Sequence, residues 1–108
     1  LLSLLSYNRN VMKTTNEYLQ ILRNYMHSRA AEYGITHMGI FGSVARGEQH
    51  EGSDVDICFE GTAPTLFTLA RIKNELEALF GCPVDLVRLR EHMDEFLKHE
   101  IQQEALYV

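Results

Sequence analysis

Three aspartates and one glycine-serine turn hold most of the chemistry in this sequence. Asp54 and Asp56 lie two residues apart in an alternating segment, so both point to one face of an extended strand, about 7 Å apart along it. Carboxylates placed this way can converge on a pair of divalent cations, which in two-metal sites stand roughly 3.5–4 Å apart. Oxygen ligands with open water positions suit Mg²⁺. Asp85 lies between Val84 and Leu86, where a lone charge would be costly to bury. If its strand pairs beside the first, all three carboxylates can meet. Without cations they repel, and at least one pKa rises. Each aspartate also has a plainer use: Asp54 as a cap or turn residue after Ser53, Asp56 facing solvent, Asp85 in a turn after Pro83.

The turn GSVARG (residues 42–47) follows a strand pattern and opens a short helix, a place where backbone N–H groups can meet an anion. Ser43 adds a hydroxyl. Gly42 and Gly47 have the spacing of a P-loop, but Glu48 and Gln49 stand where that motif needs Lys and Ser or Thr. Gly39 and Gly42 do not make a G-x-G-x-x-G fingerprint. The plain reading of these glycines is a tight turn. Arg46 could contact phosphate or pair with a carboxylate and hold the turn in shape; the second use is favoured, because a helical position three after Ser43 can point back under the sheet.

The elements that must position these residues follow from periodicity. Apolar residues at three- and four-residue steps mark an amphipathic helix over Thr15–Tyr33, ended by Gly34. Ile35–Phe41 reads as a buried strand and Ser43–Gly47 as a short helix. In Asp54–Glu60, Val55, Ile57 and Phe59 take one face and Asp54, Asp56, Cys58 and Glu60 the other. A loop with capping residues leads to a helix over Leu66–Phe80, closed by Gly81, with Leu69, Ile72, Leu76, Leu79 and Phe80 inward. Pro83–Leu89 reads as a third strand. Glu91–Tyr107 reads as a last helix with Met93, Phe96, Leu97, Ile101 and Ala105 inward. The order is α-β-α-β-α-β-α.

The chain has 108 residues, the size of one domain able to bury its own core. Residues 1–11 are apolar, lack a basic start and precede Met12; they are expected to be a loosely ordered leader or tag-like segment, leaving residues 12–108 as the domain. The net charge of −5 argues against a surface that coats nucleic acid, and no direct nucleic-acid binding is expected. No apolar run approaches the roughly 20 residues of a membrane span. Cys58 and Cys82 lack metal-ligand spacing and read as free thiols in a reducing cytoplasm. The five histidines form no ligand or nucleophile pattern; His50 stands out only because its loop joins the turn to the aspartate pair. Arg88 and Arg90 are solvated charges that could also attract phosphate or an acidic partner.

Taken together, Gly42-Ser43-x-Ala45-Arg46-Gly47, Ser53-Asp54-x-Asp56 and the later Asp85 resemble the signature of the DNA polymerase beta-like nucleotidyltransferases. The short chain resembles the minimal nucleotidyltransferases (MNT) of that superfamily, over roughly Thr15 to the C-terminus. The resemblance implies an α+β fold with a small mixed sheet and helices packed on one face. It implies catalytic, metal-binding roles for Asp54, Asp56 and Asp85 with two Mg²⁺ ions, and nucleotide-binding roles for Gly42, Ser43 and Arg46. The reaction implied moves a nucleoside monophosphate, AMP from ATP, to an acceptor hydroxyl. The partner implied is a HEPN-domain toxin, with this chain as its antitoxin, and a homo-oligomer stays open. Two other uses compete: an antitoxin that neutralises by contact alone, and an enzyme on a small molecule of the aminoglycoside type. The second would ordinarily need a further domain to hold its substrate.

Overall fold

A computed structural model describes residues 12–108; the expectation for residues 1–11 lies outside the described residues. Helix α1 spans Thr15–Ser28 and is opened by a capping box. The Thr14 side chain accepts from the Glu17 N–H, and the Glu17 carboxylate accepts from the Thr14 N–H at 2.9 Å. Strand β1 (Ile35–Phe41) runs straight into the one-turn helix α2 (Gly42–Ala45). Strand β2 (Val55–Gly61), helix α3 (Leu66–Phe80), strand β3 (Val84–Arg88), helix α4 (Glu95–Glu104) and strand β4 (Leu106–Tyr107) follow.

The first helix is shorter than its periodicity suggests. It tightens at Arg29 into a 3-10 turn over Ala30–Tyr33 before Gly34 closes it in the left-handed region. The tighter winding buries Ala30 completely and lets the Tyr33 hydroxyl reach Glu75 at 3.0 Å. Glu75 also accepts from Tyr25 at 2.8 Å and Arg29 at 2.7 Å, so one half-buried carboxylate ties both ends of the bend to α3. These three bonds hold the Glu75 carboxyl below its usual range despite the burial that opposes them.

The sheet has the order β3-β2-β1-β4. β1 pairs antiparallel with β2 and β4, and β2 pairs parallel with β3. Alternation along the strands decides which side chains go where. Met38, Ile40, Val55, Ile57 and Phe59 join Leu22, Ile72, Leu76 and Phe80 in the main core, under α1 and α3. Phe41 and Cys58 face the other way and meet Ile101 of α4 in a second, smaller cluster. The two long helices thus share one face as expected, while α4 caps part of the opposite face, the one that bears Asp56.

The sequence reading is corrected at the chain end and in α3. The last helix starts at Glu95, where the Asp94 carboxylate accepts from the Leu97 N–H at 3.0 Å, and not at Glu91. That phase leaves Phe96 outward and 89% exposed, with Leu97 and Ile101 turned inward. The helix also stops at Glu104. Ala105 turns extended, and Leu106 and Tyr107 add a fourth strand opposite Ile40 and Gly39. In α3, Leu79 is half exposed, whereas Ile72, Leu76 and Phe80 are buried. Among the described residues, no helix is long and apolar enough to cross a membrane.

Candidate active site

The site forms where β1 ends, β2 begins and β3 runs alongside. Parallel pairing sets Asp56 and Asp85 directly opposite each other as Cα partners. The Val55 N–H donates to the Pro83 carbonyl at 3.0 Å and fixes that register at its first residue. Asp54 precedes β2 and is exposed, Asp56 is half-buried, and Asp85 is exposed. The pairing on which the three-carboxylate reading depends is therefore present.

Burial pushes the Asp56 carboxyl up to about 6, with further upward contributions from Asp85, Asp54 and Glu100; Arg46 opposes them. Carboxylate oxygens are the donors that suit a hard cation such as Mg²⁺. Among the described residues, no three His, Cys, Asp or Glu side chains stand close enough together to ligate one metal ion as placed. The backbone aligns the aspartates, and their side chains remain spread.

The glycine turn lies against this cluster. Gly42 has φ of 72°, a conformation that side-chain-bearing residues rarely adopt, and a Cβ there would fall 2.1 Å from the Asp56 Oδ2. The turn and the aspartate strand are thus in contact. Thr15 Oγ1 donates to the Val44 carbonyl at 2.6 Å and ties the turn to the start of α1. Between the two motif halves, the His50 N–H donates to Ser53 Oγ and the Ser53 N–H to the His50 carbonyl, both at 2.9 Å. The His50 ring rests on the Glu51 carbonyl, within its own loop.

Arg46 settles on carboxylates. Its guanidinium donates to Glu48 and, through Nη1, to both oxygens of Glu104 at 2.8 and 2.9 Å. The Gly42 N–H also donates to Glu104, at 3.2 Å. Glu104 sits at the end of α4, 62 residues from Gly42, and Glu100 one turn before it acts on Asp56. Sequence reasoning passed over both glutamates. Acidic residues on an amphipathic helix read as a solvated face, and nothing local indicates that α4 folds back onto the turn. Arg88 donates to the Gly61 carbonyl at 3.2 Å and Arg90 to the Arg88 carbonyl at 2.9 Å, so both serve the end of the sheet.

Comparison with known proteins agrees with this geometry. The nucleotidyltransferase domain family matches residues 19–108. The chain is 34% identical over 98 residues to the protein adenylyltransferase MntA of Thermococcus cleftensis, covering 90% of this chain and 98% of that one. A solved structure described as a minimal nucleotidyltransferase superposes with a TM-score of 0.72 at 35% identity, covering 89% of this chain and 97% of the other. A structure of an MNT antitoxin with the tri-AMPylated Shewanella oneidensis HEPN toxin shares the fold, at a TM-score of 0.56 and 18% identity, covering 86% of this chain and 66% of that chain. This chain belongs to the nucleotidyltransferase domain family and is a nucleotidyltransferase enzyme, with the α+β fold of its minimal members.

Proposed function

We propose that the chain transfers AMP from ATP, with Mg²⁺, to a hydroxyl of a partner protein, and that the partner is a HEPN-domain toxin held in check by the modification. One observation carries the metal-dependent part of this reading. Arg46, a cation that acts on Asp56, is already held by Glu48 and Glu104, while Asp85, Asp54 and Glu100 all add negative charge around Asp56. A triphosphate would meet net negative charge there unless cations came with it.

Asp54, Asp56 and Asp85 are the residues that would hold two Mg²⁺ ions. When bound, such ions neutralise the triphosphate and make the attacking hydroxyl more acidic. Ser43 and the turn orient the phosphate tail, with Arg46 framing it. Asp85, on the outer strand, is open to an incoming hydroxyl and helps to take its proton. The hydroxyl oxygen bonds to the α-phosphorus, the bond to the bridging oxygen breaks, and pyrophosphate leaves. The nucleotide-binding part of the reading draws on the family and on the turn's contact with Asp56.

The partner part draws on the adenylyltransferase name of the Thermococcus relative and the toxin complex of the Shewanella one. One exposed domain also encloses little of a ligand, and a partner protein would complete the pocket. Such a pair would work in the cytoplasm. The test is mass spectrometry of a HEPN-domain partner protein after incubation with this chain and Mg-ATP. A mass gain of one or more AMP groups is expected; an unmodified partner, with ATP and Mg²⁺ in excess, would sink the proposal. Neutralisation by contact alone is the second reading. It is favoured by Phe67 and Phe96, which stand about 90% exposed at the starts of α3 and α4.

A further inference from the structure

We infer that Glu104 is a positioning residue of the turn: one carboxylate grips the Gly42 N–H and the Arg46 guanidinium together, and so fixes where Ser43 stands relative to Asp56. This rests on the reading of the turn as a nucleotide-binding element and assigns the device that sets its place.

Three hydrogen bonds converge on this carboxylate. Two come from Arg46 Nη1, at 2.8 and 2.9 Å, and one from the Gly42 N–H at 3.2 Å. The Arg46 bonds are charge-assisted, the stronger kind. The Glu104 side chain is only 24% exposed, so water competes weakly for it. The Arg46 pair with Glu48, by contrast, joins two residues of one turn, and its carboxylate is 62% exposed. Of the two carboxylates that hold Arg46, Glu104 is the one that links the turn to a distant element.

The element behind Glu104 is itself anchored on both sides. Ile101, three residues earlier, is fully buried against Phe41 and Cys58. Immediately after, Leu106 and Tyr107 pair with Ile40 and Gly39, and the Val108 N–H donates to the Met38 carbonyl at 3.0 Å. The end of α4 is thus pinned by packing before Glu104 and by strand pairing after it. Its carboxylate is a fixed post, and β1, which carries the turn, is the strand that β4 holds.

Gly42 shows why such a post is needed. Its lack of a side chain lets the Asp56 Oδ2 approach, and its positive φ aims the chain into α2. Glycine is also the residue most able to leave that conformation, because it gains the most backbone freedom on release. Glu104 holds the glycine's N–H and, four residues on, the arginine at the end of the same turn. With both ends fixed, Ser43 between them has one place to stand. It follows that the Gly42 N–H is committed to Glu104 and that phosphate contact falls to Ser43.

The test compares wild type with Glu104→Gln and Glu104→Ala in steady-state transfer to the partner protein, with Mg-ATP and acceptor varied separately. KM for Mg-ATP should rise about tenfold in Glu104→Ala and less in Glu104→Gln, which keeps an acceptor oxygen, while KM for the acceptor stays put. The amide resonance of Gly42, read by NMR in the nucleotide-free protein, should move and lose exchange protection in the same order. A Glu104→Ala protein with wild-type KM for Mg-ATP and an unmoved Gly42 resonance would overturn the inference, as would equal rises in both KM values. If Glu104→Ala does not fold, Glu104→Gln alone decides by the same readings. If wild type transfers nothing, the proposed function fails, and the Gly42 resonance still decides whether Glu104 grips the turn.

Discussion

The Asp56 carboxylate occupies the space that a side chain on Gly42 would fill: a Cβ at Gly42 would lie 2.1 Å from Oδ2. Position 42 carries two demands at once, a φ of 72° and an empty flank.

Gly42→Ala should therefore fail on both counts. A left-handed alanine costs about 1–2 kcal/mol, and the methyl group must also displace Asp56 or the turn. The expected result is a lower melting midpoint and a transfer rate reduced about a hundredfold, since small misplacements of reacting groups cost that much. A Gly42→Ala protein with wild-type rate would mean that turn and strand do not act together.

Asp56 should make the metal-free protein pH-sensitive. Its folded-state pKa, about 6, lies above the ordinary carboxylate value of 3.8, so the folded state binds this proton more tightly than the unfolded chain. Stability from this group is fully present below about pH 4 and is lost as pH rises through about 6. Asp56→Asn removes the repulsion. Once solvent screening of a half-exposed group is allowed for, it should stabilise the protein in EDTA at pH 7.5 by about 1 kcal/mol, or roughly 4–8 °C in melting midpoint. The gain should vanish at pH 4. Thermal melts in EDTA at both pH values check this.

Ile101→Ala should loosen the turn from a distance. Ile101 is fully buried beneath α4, and truncation of such a side chain costs about 2–5 kcal/mol. Loss of this packing also frees the helix end that carries Glu104. Urea unfolding should report the lost stability. Activity under conditions where the variant remains folded should fall more than in a variant of similar cost in the main core, such as Leu76→Ala.

Much of this was legible in the sequence where the signal was local. The span of α3 follows from its spacing, the Thr65 cap and Gly81, and that of β1 from the mainly apolar stretch between Gly34 and the Gly42 turn. The aspartates on β2 and β3 could be named because alternation fixes the face, and their pairing needed only a parallel neighbour. What escaped depends on contacts made across the fold. The break at Arg29 is set by Glu75 on another helix. Strand β4 is two residues long, too short for a period. Phe96 looks inward by spacing, but the Asp94 cap chooses a different helix phase. Glu104 and Glu100 are ordinary surface acids until the buried Ile101 brings α4 onto the face that bears Asp56.

The most direct measurement uses a chain in which both Asp54 and Asp56 are changed to Asn, assayed with α-phosphate-labelled ATP, Mg²⁺ and the HEPN-type partner. Label should pass to the partner with wild type and vanish with the double variant, which should still fold and should no longer silence the partner. Label transfer by the double variant would contradict the assignment of the site. A partner silenced as well by the double variant as by wild type would contradict silencing by modification and leave contact as its cause.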